Sequence, residues 1–179
     1  MTRTPQGDQR ALPDLKESAV EIKELFGLPA HPLVVHAAVV LLPLAAITTF
    51  VCAVVPRARR YYAPVALGLA LVATLAVGLA QGSGEELEEQ VDETELVEEH
   101  TEQGEQVLPW AIGLTLTAAA VSAIPFLERR HPTLPAKPIT AAVVAISLVV
   151  GVGATWTVID VGHSGAKATW DDVGEADGG

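Results

Sequence analysis

Apolar residues along this chain fall in four long blocks separated by polar stretches. The blocks cover residues 31–55, 63–79, 108–127 and 139–159, and none carries Lys, Arg, Asp or Glu in its middle. A bilayer core takes about 20 helical residues to cross. Four such blocks predict an all-α bundle of four transmembrane helices, because helices satisfy their own backbone groups in lipid. Pro43 predicts a kink in the first helix, Pro109 suits the start of the third and Pro125 its end, and Asp160 ends the fourth. Gly151 and Gly153 in the fourth block, and Gly78, Gly82 and Gly84 after the second, allow close helix approach.

Outside the blocks the pattern changes. Residues 1–28 form a polar segment without the early apolar stretch of a signal peptide. Within it, Leu12, Leu15, Ala19, Ile22 and Phe26 recur at helical spacing after Pro13 and before Gly27. That spacing predicts a short N-terminal amphipathic helix over 13–26, lying on the membrane surface or capping the bundle. Residues 29–170 are the membrane domain, and 171–179 read as a disordered acidic tail. Half of the 179 residues are hydrophobic, and the single cysteine, Cys52, lies inside the first block, so no internal disulfide or cysteine metal site is expected.

The net charge is −11, which excludes a nucleic-acid partner and fits a protein exposed to high salt. Eleven carboxylates fall between Glu85 and Glu105, and no Lys or Arg lies between Tyr61 and Glu128. This stretch predicts an acidic helical loop, either a solvated extension or a cation-collecting vestibule. Basic residues sit between blocks one and two (Arg57, Arg59, Arg60) and between blocks three and four (Arg129, Arg130, Lys137). Short basic loops stay cytoplasmic, so the acidic loop and both termini are expected outside, in a multi-pass cell-membrane protein.

The candidate chemistry is histidine. His31 and His36 open the first block, His100 precedes the third and His163 follows the fourth, all at the same, extracytoplasmic end. His131 belongs to the opposite end. Imidazole ligates metals and is the usual axial ligand of b-type haem. Two histidines on different helices are needed to clamp a haem. His36, placed below the membrane surface where a polar group is costly, is the first candidate, with His100, His31 or His163 as partner. Copper or zinc held by His36, His100 and His163 with a carboxylate such as Glu86 is the alternative. His31 and His36 are five residues apart, about 140° around a helix, so one ideal helix does not aim both at one ion. The bland readings are a helix cap for His31, a solvated face for His100, and backbone or interhelical hydrogen bonds for His163 and His36. Trp110, Trp156 and Trp170 read as interfacial anchors. Serine-hydrolase, zincin, P-loop and dinucleotide motifs are missing, so enzymatic activity is left open.

The segments His31-Pro32-Leu33-Val34-Val35-His36, Gly84-Glu85-Glu86-Leu87-Glu88-Glu89, Glu99-His100 with Gly104-Glu105, and Gly162-His163-Ser164-Gly165-Ala166 together resemble the DUF2231 membrane proteins. The likeness covers about residues 29–170. It departs from the usual pattern at Ala37, where an aromatic is expected, and at Ser164-Gly165-Ala166, where a glycine pair is commoner. Fusions of similar proteins with Rieske or c-type cytochrome domains imply a redox setting. The leading expectation is therefore a membrane protein that binds haem b or a metal and transfers electrons, with the lipid bilayer, a redox protein or further copies of itself as partners. A structural, non-redox subunit without cofactor is the second, and a transporter or channel the third.

Overall fold

The computed structural model describes residues 24–25, 28–88, 91, 94–131, 133 and 135–175. Five helices make up the structure: α1 (Ala30–Val54), α2 (Pro56–Glu88), α3 (Glu95–Glu105), α4 (Val107–Arg130) and α5 (Ala136–Glu175). Four candidate membrane spans lie in them: His31–Val54, Pro56–Glu88, Glu95–Arg130 and Lys137–Lys167. The protein is an all-α, four-helix membrane bundle. Before it, Glu24–Leu25 (β1) pairs antiparallel with Leu28–Pro29 (β2). Two residues of the stretch expected to be an amphipathic helix are thus extended, and 13–23 and Phe26 lie outside the described residues.

α1 packs on α2 and α5, and α4 also packs on α2 and α5. The helices therefore run round the bundle in the order α1, α2, α4, α5, with α1 and α4 across the diagonal. Alanine makes this possible. On α2, Ala63, Ala66, Ala70, Ala73 and Ala76 form one buried stripe at three- and four-residue intervals. Ala70, Ala73 and Ala76 share one core with Ala45 and Ala46 of α1, Ala111, Leu114 and Ala118 of α4, and Ala154 of α5, and Ala63 and Ala66 a second with Cys52, Ala53 and Val121. Lipid tails are as apolar as Leu, so helices in a membrane associate through close packing of small residues rather than through exclusion of Leu from water. The large side chains go outward: Val40, Ile47, Leu75, Leu116, Val149, Val152 and Trp156 are exposed.

Polar bonds stitch the same contacts. Thr74 shares its hydroxyl with Ala111 O at 3.1 Å and Thr115 Oγ1 at 2.9 Å, and Ser122 donates to Ala63 O at 3.0 Å. Trp110 lies against Gly153, where even a Cβ would come within 2.4 Å of its ring.

The helices outrun the apolar blocks. A single residue, Val55, separates α1 from α2, so the expected first basic loop is helical. Arg59 is buried at 6% exposure, and its guanidinium donates to Cys52 O at 3.1 Å and to Ala53 O, covering carbonyls left open at the end of α1. Pro125 sits inside α4, which continues to Arg130. α5 passes Asp160 without a break and reaches Glu175, five residues into the segment expected to be a tail. These extensions carry the second and fourth spans past the apolar region to the end where the histidines lie.

Candidate functional site: a histidine pair at one end of the bundle

α1 starts at Ala30, so His31 is its second residue rather than its cap. It points inward, half-buried, onto the last turns of α2. Its Nδ1 donates to Ala80 O at 3.0 Å and lies 3.1 Å from Ser83 Oγ. A carbonyl only accepts, so the proton is on Nδ1 and the lone pair on Nε2.

His100 arrives from a different element. Thr94 caps α3 by accepting from Val97 N at 3.3 Å, and Glu95 and Glu98 suit its first turn. Gln81 of α2 holds the other end of α3 through Gly104 O at 2.8 Å. α3 packs against α5, and His100, also half-buried, bonds to Ser164 Oγ at 3.1 Å, whose own proton goes to Val161 O at 3.0 Å. A hydroxyl with its proton so committed accepts from the ring, which puts the His100 proton on Nδ1 as well. His31 and His100 both lie at the end of the bundle where α2 and α5 run past their apolar blocks. Glycines make room for both rings. A Cβ on Gly84 would come within 3.1 Å of His31 Cε1, and one on Gly165 within 2.8 Å of His100 Cε1.

The other candidates are placed elsewhere. His36 is in the same helix as His31, and the angle between them turns it out of the bundle; it is exposed, and its Nδ1 donates to Pro32 O of its own helix. His163 is exposed beside a shallow groove lined by Glu99, Asp160 and Lys167 among others. Glu86 is half-buried on α2. Among the described residues no three His, Cys, Asp or Glu are placed to hold a metal ion together. His36, His100, His163 and Glu86 thus do not form a shared set. His131 caps α4 at the far end. Trp156 is exposed as an anchor would be, whereas Trp110 is packed between helices; the side chain of Trp170 lies outside the described part.

Ser83 and Ser164 stand near acids or a histidine in the sequence, which does not pair them with His31 and His100. The signal for them was a repeated dipeptide, Ser-Gly, shortly after the second and fourth apolar blocks.

The architecture and its histidine-bearing end define a small multi-pass membrane protein. The chain matches the family described as "Predicted membrane protein (DUF2231)" over residues 27–177, and it belongs to that family. No curated protein and no solved structure is significantly similar to it.

Proposed function

We propose that the protein is a membrane electron-transfer subunit in which His31 and His100 hold a b-type haem through their Nε2 atoms. The observation that carries this reading is the pair itself. Two half-buried imidazoles from different elements lie at the same end of the bundle, each with Nδ1 committed to the neighbouring helix. A ligating histidine commonly donates its other N–H to a carbonyl, which fixes the tautomer and raises ligand basicity. The donor set fits haem better than the alternatives. Axial ligation takes two imidazoles, whereas structural zinc takes four protein ligands and catalytic zinc three, and a third ligand is missing among the described residues. A bound haem would supply one-electron chemistry. The chain's part is to fix the two rings, exclude lipid with the alanine core below, and present an acidic rim on α3 to a redox partner.

Arg57, Arg60, Arg129, Arg130 and Lys137 lie at the opposite end from the pair. Under the positive-inside rule this supports an orientation with the pair and both termini on the extracytoplasmic side. Titrating the purified full-length protein with hemin tests the proposal. One equivalent should produce a low-spin Soret band that His31→Ala and His100→Ala each abolish. A wild-type protein that takes up no hemin would remove the reading.

A second reading is favoured by the same bonds: His31 ties α1 to α2 and His100 ties α3 to α5, as a brace in a non-redox accessory subunit would. It predicts that both alanine variants lower thermal stability while the wild-type protein stays colourless with hemin.

A further inference from the structure

The surroundings of His31 and His100 share a serine hydroxyl and a glycine in the same places. His31 is seated on Ser83-Gly84 of α2, and His100 on Ser164-Gly165 of α5. In each seat the serine hydroxyl lies 3.1 Å from the histidine Nδ1. In each, the serine also donates to the carbonyl three residues earlier, Ala80 O at 3.1 Å and Val161 O at 3.0 Å. In the first seat the Ala80 carbonyl receives the histidine as well, at 3.0 Å. In each, the next residue is a glycine whose missing Cβ would meet Cε1 first and Nδ1 second, at 3.1 and 3.5 Å for Gly84 and 2.8 and 3.2 Å for Gly165. The helix order agrees: α1 with α2, and α4 with α5, are the two hairpins, and α1 and α4 are diagonal. Only the delivery of the histidine differs. The first comes on the spanning helix itself, the second on α3 just before it.

We propose that the bundle is a tandem of two equivalent units, and that Ser83-Gly84 and Ser164-Gly165 are positioning residues that set the two imidazoles in matching orientations for one ligand. The ligand class is a group that takes two like imidazole nitrogens, as the iron of haem does; to that extent the inference rests on the function proposed above. The hydroxyl and carbonyl fix the tautomer. The glycine lets the ring edge lie against the helix backbone, so its plane is set by contact. A methyl group at either glycine displaces that ring.

The test reads the seats without any ligand. Imidazole nitrogen resonances of the full-length, 15N-histidine-labelled protein in micelles, assigned with H31Q and H100Q, should show both rings protonated on Nδ1. Ser83→Ala and Gly84→Ala should move the His31 resonances only, and Ser164→Ala and Gly165→Ala the His100 resonances only. Ser83→Thr and Ser164→Thr, which keep the hydroxyl, should restore them. Hemin affinity should fall about 10- to 100-fold in each alanine variant, the usual effect of losing an outer-shell partner. If a glycine variant does not fold, the serine pair decides the matter alone. Rings that ignore these substitutions, or a response in one unit and not in the other, would overturn the proposal. A wild-type protein that passes the resonance test yet binds no hemin keeps the tandem seats and removes only the haem reading. Hemin bound with unaltered affinity by all four alanine variants does the reverse.

Discussion

At the scale of single residues, packing separates histidines that the chain places close together. His31 and His36 are five positions apart, yet one turns into the bundle against Ala80 and Ser83 and the other turns out onto Pro32. The roughly 140° between them was legible from the sequence. Which of the two faces inward was not, because that depends on the rotation of α1 against α2, set by alanines spread over the whole helix. Depth alone favoured His36; packing selects His31. His36→Ala and His163→Ala are accordingly expected to bind hemin within about twofold of wild type (a difference of roughly 0.4 kcal/mol,), as read by titration. Arg59 gives a second prediction at this scale. Replacing it by Ala leaves the Cys52 and Ala53 carbonyls without their donor and should cost about 1–3 kcal/mol of unfolding free energy, measurable by denaturation in mixed micelles. An unchanged midpoint would contradict its role as a cap.

At the scale of elements, the four spans were legible because apolar blocks of this length have few other readings. Their ends were not. Good helix formers occur among the residues that follow the second and fourth blocks, at Glu85 to Glu88 and Ala166 to Ala168, and nothing in composition separates a helix leaving the membrane from a loop. Pro125 and Asp160 read as stops in the sequence, yet the helices run through them. These overruns matter chemically, since Ser83, Gly84, Ser164 and Gly165 all lie on them. Contacts between spans yield a further prediction. Gly153→Ala forces a Cβ into the Trp110 ring and should destabilise the bundle by about 1–3 kcal/mol through overpacking. Thr74→Val, which removes one bridging hydroxyl between α2 and α4, should cost only about 0.6 kcal/mol, the average for an interhelical bond in a membrane. A ranking in the opposite order in a melting experiment would show that polar bonds, not close packing, hold these helices.

At the scale of the molecule, the bundle has a basic end and an acidic, histidine-bearing end. The helix ends beside the two short connections carry Arg57, Arg60, Arg129, Arg130 and Lys137, while α3 carries Glu95, Glu98, Glu99, Glu102 and Glu105. The N-terminal segment adds Arg3, Arg10, Lys16 and Lys23 to the acidic side, so charge alone favours the proposed orientation by a modest margin. In a Cys52→Ala background, Thr94→Cys should react with a membrane-impermeant maleimide in intact cells, and Thr133→Cys only after lysis. The reverse pattern would invert the topology and place the pair on the cytoplasmic side. The organisation into two like hairpins was hidden in the sequence because the histidines reach their seats by different routes, 52 residues ahead of Ser83 but 64 ahead of Ser164.

The most direct test of the paired ligation is the low-temperature electron paramagnetic resonance spectrum of the hemin-loaded, oxidised protein, recorded for wild type and for alanine variants at His31, His36, His100 and His163. A low-spin ferric signal is expected in wild type, His36→Ala and His163→Ala, with conversion to high spin or loss of haem in His31→Ala and His100→Ala. A wild type without the signal, or a signal that survives loss of His31 or His100, would contradict the account.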